Sequence, residues 1–121
     1  MRSVLCEQLR TMNLDAILNR KLTTLFPNEA IRAQVVVILE TYGTEKHEQE
    51  PVRVRLAVLK LSNHIFAEIK RNINFAKLDF RDVLTWAEYP RQSKKWSTPK
   101  GPKKQKLIDA DRAEYKEWLN T

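Results

Sequence analysis

The stretch PVRVRLAVLKLS, residues 51–62, decides between two folds. Its first half alternates apolar and basic side chains, which is the period of a half-buried strand. Carried on to Leu61, the same residues place Val52, Leu56 and Leu59 on one helical face with Ala57 beside them. Pro51 suits the first turn of a helix, where its missing N–H has no intrahelical partner to lose. The helical reading makes the chain all-α. The run VVVI at 35–38 also reads as a strand in isolation. It lies, however, between an Asn28 cap with Glu29 in the first turn and a Gly43 stop, within the stripe Ile31, Val35, Ile38, Leu39 and Tyr42.

The rest of the chain follows the same period. Leu5, Leu9 and Met12 mark a weak first helix. Asn13 or Asp15 can cap a second, with Leu14, Ile17, Leu18, Leu22 and Leu25 at spacings of three and four, ended by Pro27. TEKHEQE, 44–50, is a polar loop. Ser62 or Asn63 opens another helix with Ile65, Phe66, Ile69 and Ile73 inward. Asp79 caps the last helix of the body, whose stripe is Phe80, Val83, Leu84 and Ala87, and Tyr89-Pro90 closes it. Short connections imply antiparallel or sharply angled neighbours. The expected architecture is a small multi-helix bundle over 1–90, a basic flexible linker over 91–106, and a short amphipathic C-terminal helix over 107–121, detached or loosely docked.

A length of 121 residues suits one domain, and 42% apolar with 31% charged residues implies a modest core under a wet surface. Two glycines are too few for phosphate-cradling loops. Cys6 is the sole cysteine, which excludes an internal disulfide and a cysteine zinc site. MRSVLCEQLR meets charge too early for a signal-peptide core, and no apolar run approaches membrane-spanning length. A soluble, reducing, cytoplasmic setting is expected, with no membrane partner.

Charge is concentrated in one place. Residues 91–106 hold seven basic side chains and no acid, whereas 1–90 hold 13 basic and 11 acidic, and 107–121 hold 2 and 4. Arg91, Lys94, Lys95, Lys100, Lys103, Lys104 and Lys106 would attract phosphates, and Trp96 could stack on a base. Two other readings stand beside that one: a solvated tether, and a charge pairing with the acidic helix that follows. A helix-turn-helix reading finds only one candidate recognition helix, that bearing Lys70, Arg71 and Asn72, because the helix from Asp79 presents net negative charge.

Nothing in the sequence carries catalysis, a cofactor or a metal. His47 and His64 lack the spacing of metal ligands, and Asp79 with Asp82 fits a helix start better than acid–base chemistry. The expected role is therefore non-enzymatic. Trp86 stands off the Phe80/Val83/Leu84/Ala87 stripe, beside Tyr89. A wide stripe would bury it; an exposed position would make it an anchor for a protein partner. Tyr115, Trp118 and Leu119 share a face that docks on the bundle or in another protein's groove. The leading expectation is protein–protein interaction through Trp86, Tyr89, Tyr115, Trp118 and Leu119, with self-association left open. The alternative is non-specific nucleic-acid binding through 91–106.

LDFRDVLTWAEYPRQ, with RLAVLKLSNHIFAEIKRNINFAKLD upstream, resembles a group of short bacterial proteins. These end a helical region in the signature D-F/Y-R-D-V-L-x-x-A-E-Y-P. The resemblance covers roughly residues 51–92, implies a bacterial cytosolic origin, and brings no activity, cofactor or functional residue with it.

Overall fold

The computed structural model describes residues 13–93 and 102–121. They form helices α1 (Leu14–Leu25), α2 (Glu29–Glu40), α3 (Pro51–Ser62), α4 (Phe66–Leu78), α5 (Phe80–Glu88), a single turn α6 (Pro90–Ser93) and α7 (Pro102–Asn120). No strand occurs among the described residues. The fold is all-α, and both β-branched runs are helical.

Side-chain caps fix several of the boundaries. The Ala16 N–H donates to Asn13 Oδ1 at 3.1 Å, the Ile31 N–H to Asn28 Oδ1 at 3.1 Å, and the Arg81 N–H to Asp79 Oδ1 at 3.0 Å. Each removes one orphan donor from a helix start. After α2 the chain turns through Gly43 at φ +104°, a conformation that L side chains rarely adopt. A Cβ there would also lie 3.0 Å from Pro51 Cβ. The loop that follows is folded back on α2. Glu48 Oε1 accepts from the N–H groups of Gly43 at 2.8 Å and Thr44 at 3.1 Å, and the Tyr42 hydroxyl donates to Gln49 O at 2.7 Å.

α3 is the central element, packed against α1, α4 and α5. Val54, Leu56, Ala57, Val58 and Leu59 are all buried. That explains the strand-like alternation: a helix surrounded on most sides needs apolar residues beyond one stripe. Its two arginines reach out of the core to defined acceptors. Arg55 donates to Leu39 O at 3.0 Å and Tyr42 O at 2.7 Å, which ties α3 to the end of α2. Arg53 meets Glu88 of α5 in a two-pronged ion pair, at 2.8 and 2.6 Å.

Three expectations change. Ser62 ends α3 and Asn63 sits at φ +54°, so neither opens α4, which begins at Phe66 without a side-chain cap. Ile65 and Phe66 consequently face outward, 51% and 38% exposed, while Ile69, Asn72, Ile73 and Ala76 face in. Pro90 closes α5 but starts α6, because proline's fixed φ suits a first turn.

The C-terminal helix is neither detached nor short. It starts at Pro102, five residues before the expected boundary, and packs on α1, α5 and α6. Tyr115 and Leu119 join the core at 1% and 0% exposure. Asp111, fully buried, accepts from the backbone N–H groups of Arg91 and Gln92 at 3.2 and 3.3 Å. At the far end Arg20 donates to the Leu119 carbonyl, and Lys21 to Thr121 Oγ1 at 3.1 Å. Apolar burial supplies the attraction, and the polar contacts at mid-helix and at the C-terminal end set the register.

Candidate partner-binding site

Docking of α7 redistributes the five aromatic and apolar candidates. Tyr115 and Leu119 are corrected from partner-binding to core residues, since neither retains a face for anything else. Trp118 is half-buried, stacked on Tyr115 at 5.7 Å between ring centroids, with the Lys21 ammonium 4.4 Å from its ring. Burial lowers the affinity of that ammonium for its proton. Tyr89 is half-buried where α5 meets α6. Trp86 alone of the five keeps a large open face, at 39% exposure.

Trp86 sits at an apolar corner built by α4 and α5. The Phe75 ring of α4 meets it edge to face, at 5.7 Å and 89°. Arg71, one turn earlier, holds its guanidinium 5.6 Å from the Phe75 ring and pairs loosely with Glu68 at 3.6 Å. Leu78, three residues beyond Phe75 and therefore on the same side of α4, is 83% exposed. The corner is rigid because only Asp79 separates the end of α4 from the start of α5. Asp79 caps α5 and holds the Arg81 guanidinium through both its oxygens, at 3.0 Å each. Those bonds keep the Asp79 carboxyl below its ordinary range.

Beneath the corner lies a buried polar junction. Glu88 is fully enclosed and receives both Arg53 bonds. Lys60 donates to Ala87 O at 2.6 Å, and its proton affinity is lowered by burial. The Tyr115 hydroxyl is buried without a hydrogen-bond partner, and burial pushes its ionisation well above the ordinary tyrosine range. Glu88 has no exposed surface and answers the Arg53 guanidinium, so removing either partner would leave a charge buried and uncompensated.

The basic segment divides. Lys94, Lys95, Trp96 and Lys100 lie outside the described residues. Arg91 is held by Asp111 at 3.0 Å and Glu114 at 2.7 Å, and these bonds raise its proton affinity. It is corrected from a phosphate contact to an internal pairing with the acidic helix. Lys103, Lys104 and Lys106 are exposed on the first turns of α7, where there is no acid. The helix-turn-helix reading loses Asn72, which is buried and donates to Ser62 Oγ at 2.8 Å.

His47 and His64 are exposed, and no group of three or more metal-ligating side chains forms among the described residues. No described helix is long and apolar enough to cross a membrane. Sequence reasoning missed Phe75 and Leu78, and with them an apolar groove where Phe66 lies against Ala33, Val37 and Ile38 of α2. Their only signal was negative: Leu78 and Val37 fall off the inward stripes of their helices. Comparison with protein-family models, curated proteins and solved structures finds no match to this chain.

Proposed function

We propose that the protein is a non-enzymatic interaction module that meets a protein partner at the Trp86–Phe75–Leu78 corner. The observation that carries the reading is the exposure of Leu78, at 83%, beside an aromatic pair that is itself partly open. A leucine left in water beside aromatic rings adds nothing to folding, and burying it on association is worth about 1.5–3 kcal/mol. Trp is also the residue most enriched among interface hot spots, and rigid elements on both sides pre-organise it. The proposed setting is the bacterial cytoplasm, in keeping with the signature at 79–90 and a single cysteine.

A second reading keeps the basic segment in play. Lys103, Lys104 and Lys106 crowd the positive end of a 19-residue helix with no acid in its first turn. Cations at that end oppose the helix dipole, and a polyanion would relieve the conflict. The two readings part in a photo-crosslinking experiment in cells, with the reactive residue at position 78 or at position 104. The leading reading expects a discrete protein adduct from 78. Nucleic-acid adducts from 104, with none from 78, would replace it by the second.

A further inference from the structure

The apolar corner continues, through Leu78, into a groove of about 450 Å³ between the 44–50 loop and the α4–α5 junction. Ala76, Leu78 and Phe80 give it an apolar floor, and His47, Lys77 and Arg81 stand around it. The acids nearby are already engaged. Asp79 gives both oxygens to Arg81, and Glu48 turns its carboxylate inward to the Gly43 and Thr44 N–H groups. Glu45 and Glu50 belong to the same loop but do not line the groove. Lys77 has no ion pair within 4.0 Å among the described residues and feels only the longer-range attraction of the buried Glu48 carboxylate, and His47 is exposed with no side-chain hydrogen bond there.

We infer that this groove takes a peptide segment of the partner in which an apolar side chain stands next to a carboxylate. The apolar group lies between Leu78 and Phe80. The carboxylate meets the Lys77 ammonium, and the His47 imidazole offers one more N–H. A basic peptide would bring its cation against Lys77 and Arg81, where the one acid that lines the groove, Asp79, is already paired with Arg81. A wholly apolar peptide would cover the Lys77 ammonium and offer it nothing beyond the longer-range attraction of the buried Glu48 carboxylate. Complementarity of charge at a site with an apolar floor therefore chooses the acidic-apolar class. This inference rests on the interaction reading above and names the chemistry of its partner.

The test is selection of a display library of random dodecapeptides on the full-length protein, on Lys77→Glu and on Trp86→Ala. Both side chains are exposed or half-exposed, so circular dichroism should show all three equally helical. Wild-type protein should select sequences rich in Asp or Glu beside Leu, Ile or Phe, and Lys77→Glu should weaken a synthesised winner by about tenfold. Lys77→Glu should itself select basic-apolar sequences. Peptides with no acidic bias, or winners indifferent to Lys77→Glu but lost with Trp86→Ala, would overturn this inference and leave the corner as an interaction surface. Failure of the wild-type protein to select any peptide would overturn the inference, while the crosslink from position 78 decides the broader reading on its own.

Discussion

Replacing Leu119 by alanine tests whether the C-terminal helix belongs to the fold. The side chain is fully buried. Removing its three outer carbons forfeits about 2.4 kcal/mol at about 0.8 kcal/mol per buried CH₂. The cavity adds to that, because the Arg20 bond to the Leu119 carbonyl and the Lys21 bond to Thr121 restrain α7 from collapsing into the space. A total of about 3–4 kcal/mol is expected, within the range found for buried leucines. With a urea m-value of about 1.5 kcal/mol/M, the midpoint should fall by about 2 M or slightly more. Circular dichroism at 222 nm is the assay, with tryptophan fluorescence beside it, to which Trp118, stacked on Tyr115 of the same helix, contributes together with Trp86 and Trp96. The two transitions should coincide. A midpoint that moves by less than about 0.3 M would refute the reasoning, because a helix merely tethered to the bundle would make Leu119 a surface residue.

Tyr115→Phe should stabilise the protein by about 1 kcal/mol, because it removes a buried hydroxyl that has no partner and keeps the packed ring; a loss of stability on chemical denaturation would show that the hydroxyl is satisfied. Gly43→Ala should destabilise by about 1–3 kcal/mol, since it adds a Cβ 3.0 Å from Pro51 Cβ at φ +104°, and an unchanged melting temperature contradicts that geometry. The Tyr42 phenol is pushed up to about 12 by burial and by the Glu48 and Glu50 carboxylates. Because its folded value lies above the unfolded value of 10.0, its contribution is complete below pH 10 and is lost as pH rises from there toward 12. Tyr42→Phe should flatten the fall in stability over that window, and an unchanged slope in alkaline denaturation curves tells against it.

Much of the fold was legible because its boundaries are written in local chemistry. Asn13, Asn28 and Asp79 cap the helices that the periodicity placed, and Pro51 opens the helix that the alternating arginines disguised. The start of α4 was not legible. Asn63 looks like a cap but sits at a positive φ after the end of α3, so the helix begins at Phe66 and turns Ile65 and Phe66 to the surface. The docking of α7 was legible only as a choice. The Tyr115/Leu119 face announces that it will be buried, while the partner is decided by contacts distant in sequence, such as Asp111 with the Arg91 and Gln92 N–H groups. For the site, Trp86 could be picked out because it stands off its stripe. Leu78 could not, since the last residue of a helix is covered or exposed by the angle of the next one. One residue of the basic segment reads differently for the same reason: composition counts Arg91 among the cations, and folding hands it Asp111 and Glu114.

The most direct measurement places a photo-reactive residue at Asp82, exposed and one turn before Trp86, in otherwise wild-type protein and in Leu78→Asp. Leu78 is 83% exposed, so the charge should change stability by no more than about 0.5 kcal/mol. The account predicts a discrete protein adduct from the wild-type background that disappears with Leu78→Asp at equal expression and equal melting temperature. An adduct that survives Leu78→Asp undiminished would contradict the claim that this corner is where the protein meets its partner.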